Sequence, residues 1–413
     1  MRDDWIQFAG AQVPRYTSYP TAVDFNESIN EGTVKDWLSG IPAGEALSVY
    51  VHIPFCRKLC WYCGCATSVP NGYDRIASYF DVLLKEVDLW ADEIGEGVVR
   101  NLHFGGGTPN ALSPDDFRRL TSHIRARLPV ADDVEFSVEL DPRVLSDGMV
   151  EAMADSGVTR ASLGIQTLSL PVQKAINRIQ PRAVITRHIA SLRRAGIKAL
   201  NADLMYGLPC QHVEDIEEAA RYCAETGINR VSVFGYAHVP WFAKHQRAIS
   251  ENDLPGLAER MRQAEAAARI FEAAGYADIG FDHYALPDDG LAVAARDGRL
   301  HRNFQGYTDD PSRYLIGIGQ TAISAFPKGY AQGEKGLIEW RNAVLDGKLP
   351  IARGIERTGK DEMRAYAIER LLCELKVDLG EVLQRFGYDR HEFDAALARL
   401  RQLEELTFAR SMG

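Results

Sequence analysis

The stretch YVHIPFCRKLCWYCGCATS, Tyr50 to Ser68, closes a β-rich run, ALSVYVHI, and then sets four of the chain's seven cysteines within ten positions. Cys56, Cys60 and Cys63 have the spacing C-x3-C-x2-C, and Cys65 follows after one intervening glycine. A reducing cytosol disfavours structural disulfides, so thiols clustered this closely point to metal or redox chemistry. A four-thiolate zinc site is one alternative. Zinc ligands usually come as two separated pairs, however, and neighbours at positions 63 and 65 would strain a common tetrahedron. Iron–sulfur clusters also take thiolates, and a four-iron cluster held by three cysteines leaves one iron open to a further ligand. The other cysteines read differently: Cys210 follows YGLP, while Cys223 and Cys373 sit in helical patterns, where a lone cysteine is usually a small buried hydrophobe.

Outward from this loop, short β-rich runs alternate with amphipathic stretches. VRNLHF leads into GGGTP, EFSVEL into Asp141-Pro142, RASLGIQ ends at Gln166, and ALNADLMYGLP and RVSVFGYAHVP follow. Six such units in succession predict an α/β fold, a partial (β/α)6 TIM-like barrel with parallel strands and helices outside. Functional residues of such barrels gather at the C-terminal ends of the strands. The unusual residues here follow that rule: the cysteines after the first strand, three glycines after the second, Glu139 ending the third, Gln166 ending the fourth, Asp203 within the fifth, and Ala237-His238 ending the sixth. After RIFEAAGYADIGFDHYAL the pattern becomes irregular, and from about residue 337 it is helical. The expected organisation is an N-terminal extension over 1–45 that covers the active site, a barrel with elaborations over 46–333, and a small, mostly helical C-terminal domain over 334–413.

At 413 residues the chain is long enough for one large and one smaller domain, and 46% hydrophobic content supplies a sizeable core. A net charge of −10 offers no basic face for nucleic acid. The beginning, MRDDWIQFAG, has no signal-peptide pattern, and no apolar run approaches the roughly 18 residues of a membrane span. A cytoplasmic protein without membrane or nucleic-acid partners is expected.

The cysteine spacing resembles the signature of the radical S-adenosylmethionine (SAM) enzymes, and further motifs, in order, resemble the oxygen-independent coproporphyrinogen III oxidase family. These are PRYTSYPTA (Pro14–Ala22), SLGIQ, DLMYGLP, SVFGYAHVP, DHYALPDD and HRNFQGYT. The resemblance covers about residues 14 to 375. It implies a [4Fe–4S] cluster, two molecules of SAM, and a 5'-deoxyadenosyl radical that starts the oxidative decarboxylation of two propionates of coproporphyrinogen III, giving protoporphyrinogen IX for heme biosynthesis. It also implies a monomer and an electron donor such as flavodoxin or ferredoxin.

Residue by residue, the resemblance implies Cys56, Cys60 and Cys63 as cluster ligands. Tyr50, Gly106, Glu139 and Ile323 match contacts to the cluster-bound SAM, and Tyr62, Gly107, Thr108, Gln166, Arg178, Asp203 and Ala237 match contacts to the second. Tyr62 stands where related sequences can carry Phe, and Cys65 matches the family's fourth cysteine, which is not a cluster ligand. His52 and Cys65 are catalytic candidates, although a half-buried, satisfied histidine is the more ordinary reading of His52. Tyr16, Tyr19 and the aromatics of HRNFQGYT divide between lid and core roles. A substrate with four carboxylates needs fixed cationic groups, and Arg15 and Arg302 are the candidates. Two other readings use similar cofactors, a radical-SAM-like heme chaperone and a heme-acting radical methyltransferase. The fourth cysteine and PRYTSYPTA favour the oxidase over the chaperone, and PRYTSYPTA with HRNFQGYT favours it over the methyltransferase. Relatives usually continue through further strands and a final helix, whereas this sequence ends at LEELTFARSMG, so the resemblance implies an accessory domain that stops short.

Overall fold

The structure is a computed structural model that describes residues 18–405. Arg15 and Tyr16 lie outside the described residues.

The strands are β1 (Ala46–Ile53), β2 (Val98–Gly106), β3 (Val130–Leu140), β4 (Arg160–Gln166), β5 (Ala199–Tyr206), β6 (Arg230–Gly235), β7 (Ala277–Ile279), β8 (His283–Ala285), β9 (His301–Asn303), β10 (Gly306–Thr308), β11 (Tyr314–Ile318), β12 (Ile323–Phe326), β13 (Gly329–Gly333) and β14 (Ile351–Glu356). Twelve of them form one sheet in the order β14-β13-β12-β11-β1-β2-β3-β4-β5-β6-β8-β7, and β9 pairs with β10 as a separate hairpin. Strands β1 to β6 run parallel, as the alternating units predict. The irregular region supplies a seventh parallel strand, β11, which lies on the free edge of β1.

Alternation along each strand divides the sheet into two chemistries. Val49, Val51, Phe104, Phe136, Val138, Leu163, Leu200 and Val231 are fully or almost fully buried on one side. Their neighbours Ser48, His103, Ser137, Ser162, Asp203 and Ser232 line a single cavity on the other, so the sheet curves until strands β1 to β6 share one lumen, which Leu315 of β11 also lines. Most such barrels fill the lumen with branched apolar side chains, whereas this one keeps it polar. One end is closed by ion pairs: Asp289 holds Arg160 at 3.3 Å and Arg230 at 2.5 Å, and Arg230 reaches Asp309 at 3.3 Å.

The helices between strands start where local chemistry satisfies their free amides. Ser113 accepts from Asp116 N–H ahead of Pro114–Arg127, and Ser146 accepts from Met149 N–H ahead of Asp147–Asp155.

One expectation is corrected. The sixth strand ends at Gly235, opposite Tyr206, so Ala237 and His238 lie beyond it, in the loop that reaches Pro240. The mostly helical stretch after residue 334 also carries one strand, because Leu349-Pro350 turns the chain out of the helix Leu337–Leu345 into β14, which pairs with β13. Beyond it lie the helices Gly359–Glu374, Leu379–Phe386 and Asp394–Glu405, and the first two pack around Met363, Ala367 and Val382. Of the N-terminal extension, residue Asn26 bridges to Gly354, Trp37 packs on Phe326, and Phe25 stacks on Tyr330.

Candidate active site

The cysteine loop leaves the C-terminal end of β1 and returns alongside it, with Cys56 N–H bonded to Ser68 O and Ser68 N–H to Pro54 O. His52 closes this return: its Nε2 donates to Ala66 O at 3.1 Å, which leaves Nδ1 to accept from the Tyr50 hydroxyl at 3.0 Å. Burial lowers the pKa of His52, so this neutral tautomer is its ordinary state. The far side of the loop is held from the connections that follow β4 and β6. Asn177 Nδ2 donates to Leu59 O, His245 Nε2 to Cys63 O, and Gln246 Nε2 to Tyr62 O.

Cys56, Cys60, Cys63 and Cys65 line one cavity together with Tyr62, Gly106, Gly107, Thr108, Glu139, Gln166, Arg178 and Asp203. Twelve of the residues expected at the site are thus brought together. Tyr50 and Ile323 lie beside it and near each other: Tyr50 is in register with Gly317 of β11, whose α-carbon faces the Ile323 backbone. Ala237 is exposed in the loop after β6, and Arg302 lines a different cavity.

Gly106 has φ +114°, and a β-carbon there would sit 2.8 Å from the His52 ring. A β-carbon at Gly107 would sit 2.5 Å from Phe55 O. The glycine run therefore lets β2 meet the cysteine loop backbone to backbone. Gly106 N–H donates to Glu139 at 3.2 Å, and His103 Nε2 lies 3.1 Å from the same carboxylate. Burial pushes the Glu139 pKa up, but these contacts outweigh it and hold the carboxylate below its usual range. Asp203 has fewer partners, and burial raises it to about 6.

Sequence reasoning missed Asp141 and Arg143. Arg143 Nη2 grips Asp141 at 2.6 Å and lies 3.3 Å from Cys60 Sγ, and Arg178 Nη1 approaches the same sulfur at 3.3 Å. Arg178 also lies 3.5 Å from Asp141. Burial works against the Arg178 charge, but the acidic groups around it keep the guanidinium protonated. The available signal was position: Asp141 and Arg143 follow β3 directly, where barrel function concentrates. The thiols differ among themselves. Burial pushes Cys56 up to about 11, while hydrogen bonding from Cys65 draws Cys63 down to about 6.

Residues 50–223 match the Radical SAM superfamily. Oxygen-independent coproporphyrinogen III oxidase of Bradyrhizobium diazoefficiens is 44% identical over 96% of this chain and 89% of its own length. The protein of the same name from Cereibacter sphaeroides is 43% identical over 91% of this chain and 84% of its own length. The solved structure of coproporphyrinogen III oxidase from Escherichia coli, described as a radical SAM enzyme, superposes with a TM-score of 0.89 at 36% identity, covering 95% of this chain and 90% of that one. The site and fold are those of a radical SAM protein. Within that class, the chain belongs to the oxygen-independent coproporphyrinogen III oxidase family.

Family membership implies a [4Fe–4S] cluster and SAM. The residues present fit both. Cys56, Cys60 and Cys63 line one cavity wall and supply the thiolates by which an iron–sulfur cluster is held. Gln166 Oε1 and Arg178 Nε, on the same wall, are buried without a hydrogen-bond partner and supply an acceptor and a cationic donor for a zwitterionic ligand.

Proposed function

We propose that this chain oxidises coproporphyrinogen III to protoporphyrinogen IX, converting two propionates to vinyl groups with loss of carbon dioxide, in heme biosynthesis. The observation that carries the reading is the convergence of the three-cysteine loop, Gly106–Thr108, Glu139, Gln166, Arg178 and Asp203 on one cavity. When bound, the reduced cluster and SAM supply a 5'-deoxyadenosyl radical strong enough to take hydrogen from an unactivated C–H bond.

In this reading Cys56, Cys60 and Cys63 hold the cluster, and Cys65 stands outside the ligand set. Tyr50, Gly106, Glu139 and Ile323 hold one SAM. Glu139, kept anionic by His103 and Gly106, accepts hydrogen bonds. Tyr62, Gly107, Thr108, Gln166, Arg178, Asp203 and Ala237 hold a second, with the Arg178 guanidinium suited to its carboxylate. His52 fixes the return of the loop through Ala66. Arg302 anchors a substrate carboxylate, and a soluble one-electron donor of the flavodoxin or ferredoxin kind reduces the site in the cytoplasm. No helix among the described residues is long and apolar enough to cross a membrane.

The test is anaerobic: reconstitute the cluster, add reductant, SAM and coproporphyrinogen III, and follow the tetrapyrroles by mass spectrometry. A monovinyl intermediate followed by protoporphyrinogen is expected. Absence of both from protein with an intact cluster would overturn the reading.

A further inference from the structure

A second large cavity, of about 560 Å³, lies apart from the cysteine loop, between β12–β13, the β9–β10 hairpin and the helices Gly359–Glu374 and Leu379–Phe386. Four arginines reach it from four separate segments: Arg302 on β9, Arg313 just before β11, Arg357 just after β14, and Arg385 in the helix Leu379–Phe386. In a chain of net charge −10 this is a local surplus of positive charge. Two carboxylates, Glu362 and Glu369, share the wall with the four arginines, and Glu369 is already engaged by His301 at 3.2 Å, Arg370 at 3.5 Å and the Arg302 amide at 3.2 Å.

Three of the guanidinium planes, those of Arg302, Arg357 and Arg385, are held in place without an ion pair to any described residue. Arg302 lies over Tyr307 at 4.5 Å and Phe281 at 4.9 Å, and its Nε and Nη1 are buried with no hydrogen-bond partner. Arg357 lies 5.1 Å over Tyr330 with Nη2 donating to Phe326 O and Pro327 O at 2.7 Å each, while its Nε is buried and unpartnered. Arg385 lies 4.5 Å over Tyr366. Aromatic stacking and carbonyl contacts orient a guanidinium without neutralising it, which leaves its fork for a planar carboxylate. Like charges around one cavity repel, so the arrangement is favourable only when an anion enters.

This cavity adjoins the candidate active site. Ile323 and Ala325 alternate onto the same face of β12, and Ala325, in the cavity wall, is about 7 Å further along the strand. Leu315, the strand partner of Ala325, lines the barrel lumen, and Asn303 borders both the lumen and this cavity.

We propose that the four-arginine cavity is a carboxylate-anchoring subsite that grips propionates of the tetrapyrrole while another propionate reacts at the cluster. The proposal rests on the porphyrinogen reading above and extends it: the C-terminal helical portion, through Arg385, is part of the substrate site. Specificity for a tetracarboxylate then comes from residues far from the cysteine loop.

The test compares two ligands on cluster-reconstituted protein with SAM, anaerobically: coproporphyrin III, with four free carboxylates, and its tetramethyl ester, with none. Arg385→Gln and Arg357→Gln should each weaken coproporphyrin III by about tenfold or more, shift the tetramethyl ester by less than about twofold, and so narrow the preference, with Arg385→Lys restoring part of it. Because Arg357 also ties down two carbonyls, Arg385→Gln, whose side chain is held by ring stacking, carries the test if Arg357→Gln fails to fold. Parent-like affinity and preference in folded Arg385→Gln overturns the subsite. The two readings fail differently. A parent protein that forms vinyl products, with KM for coproporphyrinogen III unchanged in the arginine variants, sinks the subsite alone; a parent that forms no vinyl product sinks both.

Discussion

Arg143 stands between a carboxylate and a sulfur: its Nη2 is 2.6 Å from Asp141 and 3.3 Å from Cys60 Sγ. With Cys60 as the proposed cluster ligand, a guanidinium held beside it would stabilise added negative charge there and so favour the reduced cluster. Arg143→Gln should still assemble the cluster but lower its reduction potential by roughly 60 mV, about a tenfold shift in a one-electron equilibrium. Redox titration followed by electron paramagnetic resonance reads this directly, and an unchanged potential would remove Arg143 from that role.

The division among the four loop cysteines is testable by iron content. Cys60 is buried and approached by two guanidinium groups, whereas Cys65 is exposed and its backbone N–H donates to Cys63 Sγ at 3.4 Å. Cys60→Ala should lose the bound iron and sulfide on reconstitution, and Cys65→Ser should retain about four irons per chain. Loss of the cluster in Cys65→Ser would make it a ligand.

What the sequence made legible was chemistry that is local in the chain. The loop cysteines after β1, the glycines that end β2 and run on to Gly107, and Glu139 at the end of β3 could be placed because each sits at the C-terminal end of one strand and parallel strands put those ends together. The four-arginine cavity was not legible in the same way: its arginines come from residues 302, 313, 357 and 385, and the β9–β10 hairpin, the strands beyond β1 and the helix Leu379–Phe386 must all assemble to bring them to one wall. Strand β14 was hidden for a related reason. Six residues between helical patterns have too little alternation to announce a strand, and pairing with β13 decides the matter.

Gly106 admits no side chain without cost. Its φ of +114° is foreign to residues with a β-carbon, and the added atom would press on the His52 ring 2.8 Å away. Gly106→Ala should destabilise the fold by about 2 kcal/mol through strain and overpacking and displace the amide that donates to Glu139. Chemical denaturation measures the first effect, and SAM affinity by equilibrium dialysis, expected to fall, measures the second. Parent-like values for both would show that β2 has room to shift.

Glu86 offers a pH test remote from the cysteines. Its fully buried carboxylate accepts from Gly319 N–H at 2.9 Å, Trp340 Nε1–H at 2.7 Å and Trp90 Nε1–H at 3.3 Å, joining the helix Asp74–Glu93 to the turn that precedes β12. Burial raises its pKa to about 7, against the opposing pull of these three donors. The folded pKa therefore exceeds the unfolded value near 4.5, so the folded state binds the proton more tightly. This contribution is fully present below about pH 4.5 and is lost as pH rises through 7, amounting to about 3 kcal/mol across the window. Glu86→Gln cannot titrate and should remove that slope. It should also lower stability at pH 5, because an amide has one acceptor oxygen for three converging N–H donors. Denaturation midpoints of both proteins at pH 5 and pH 8 give the comparison, and an identical pH slope in parent and variant would rule out Glu86 as its source.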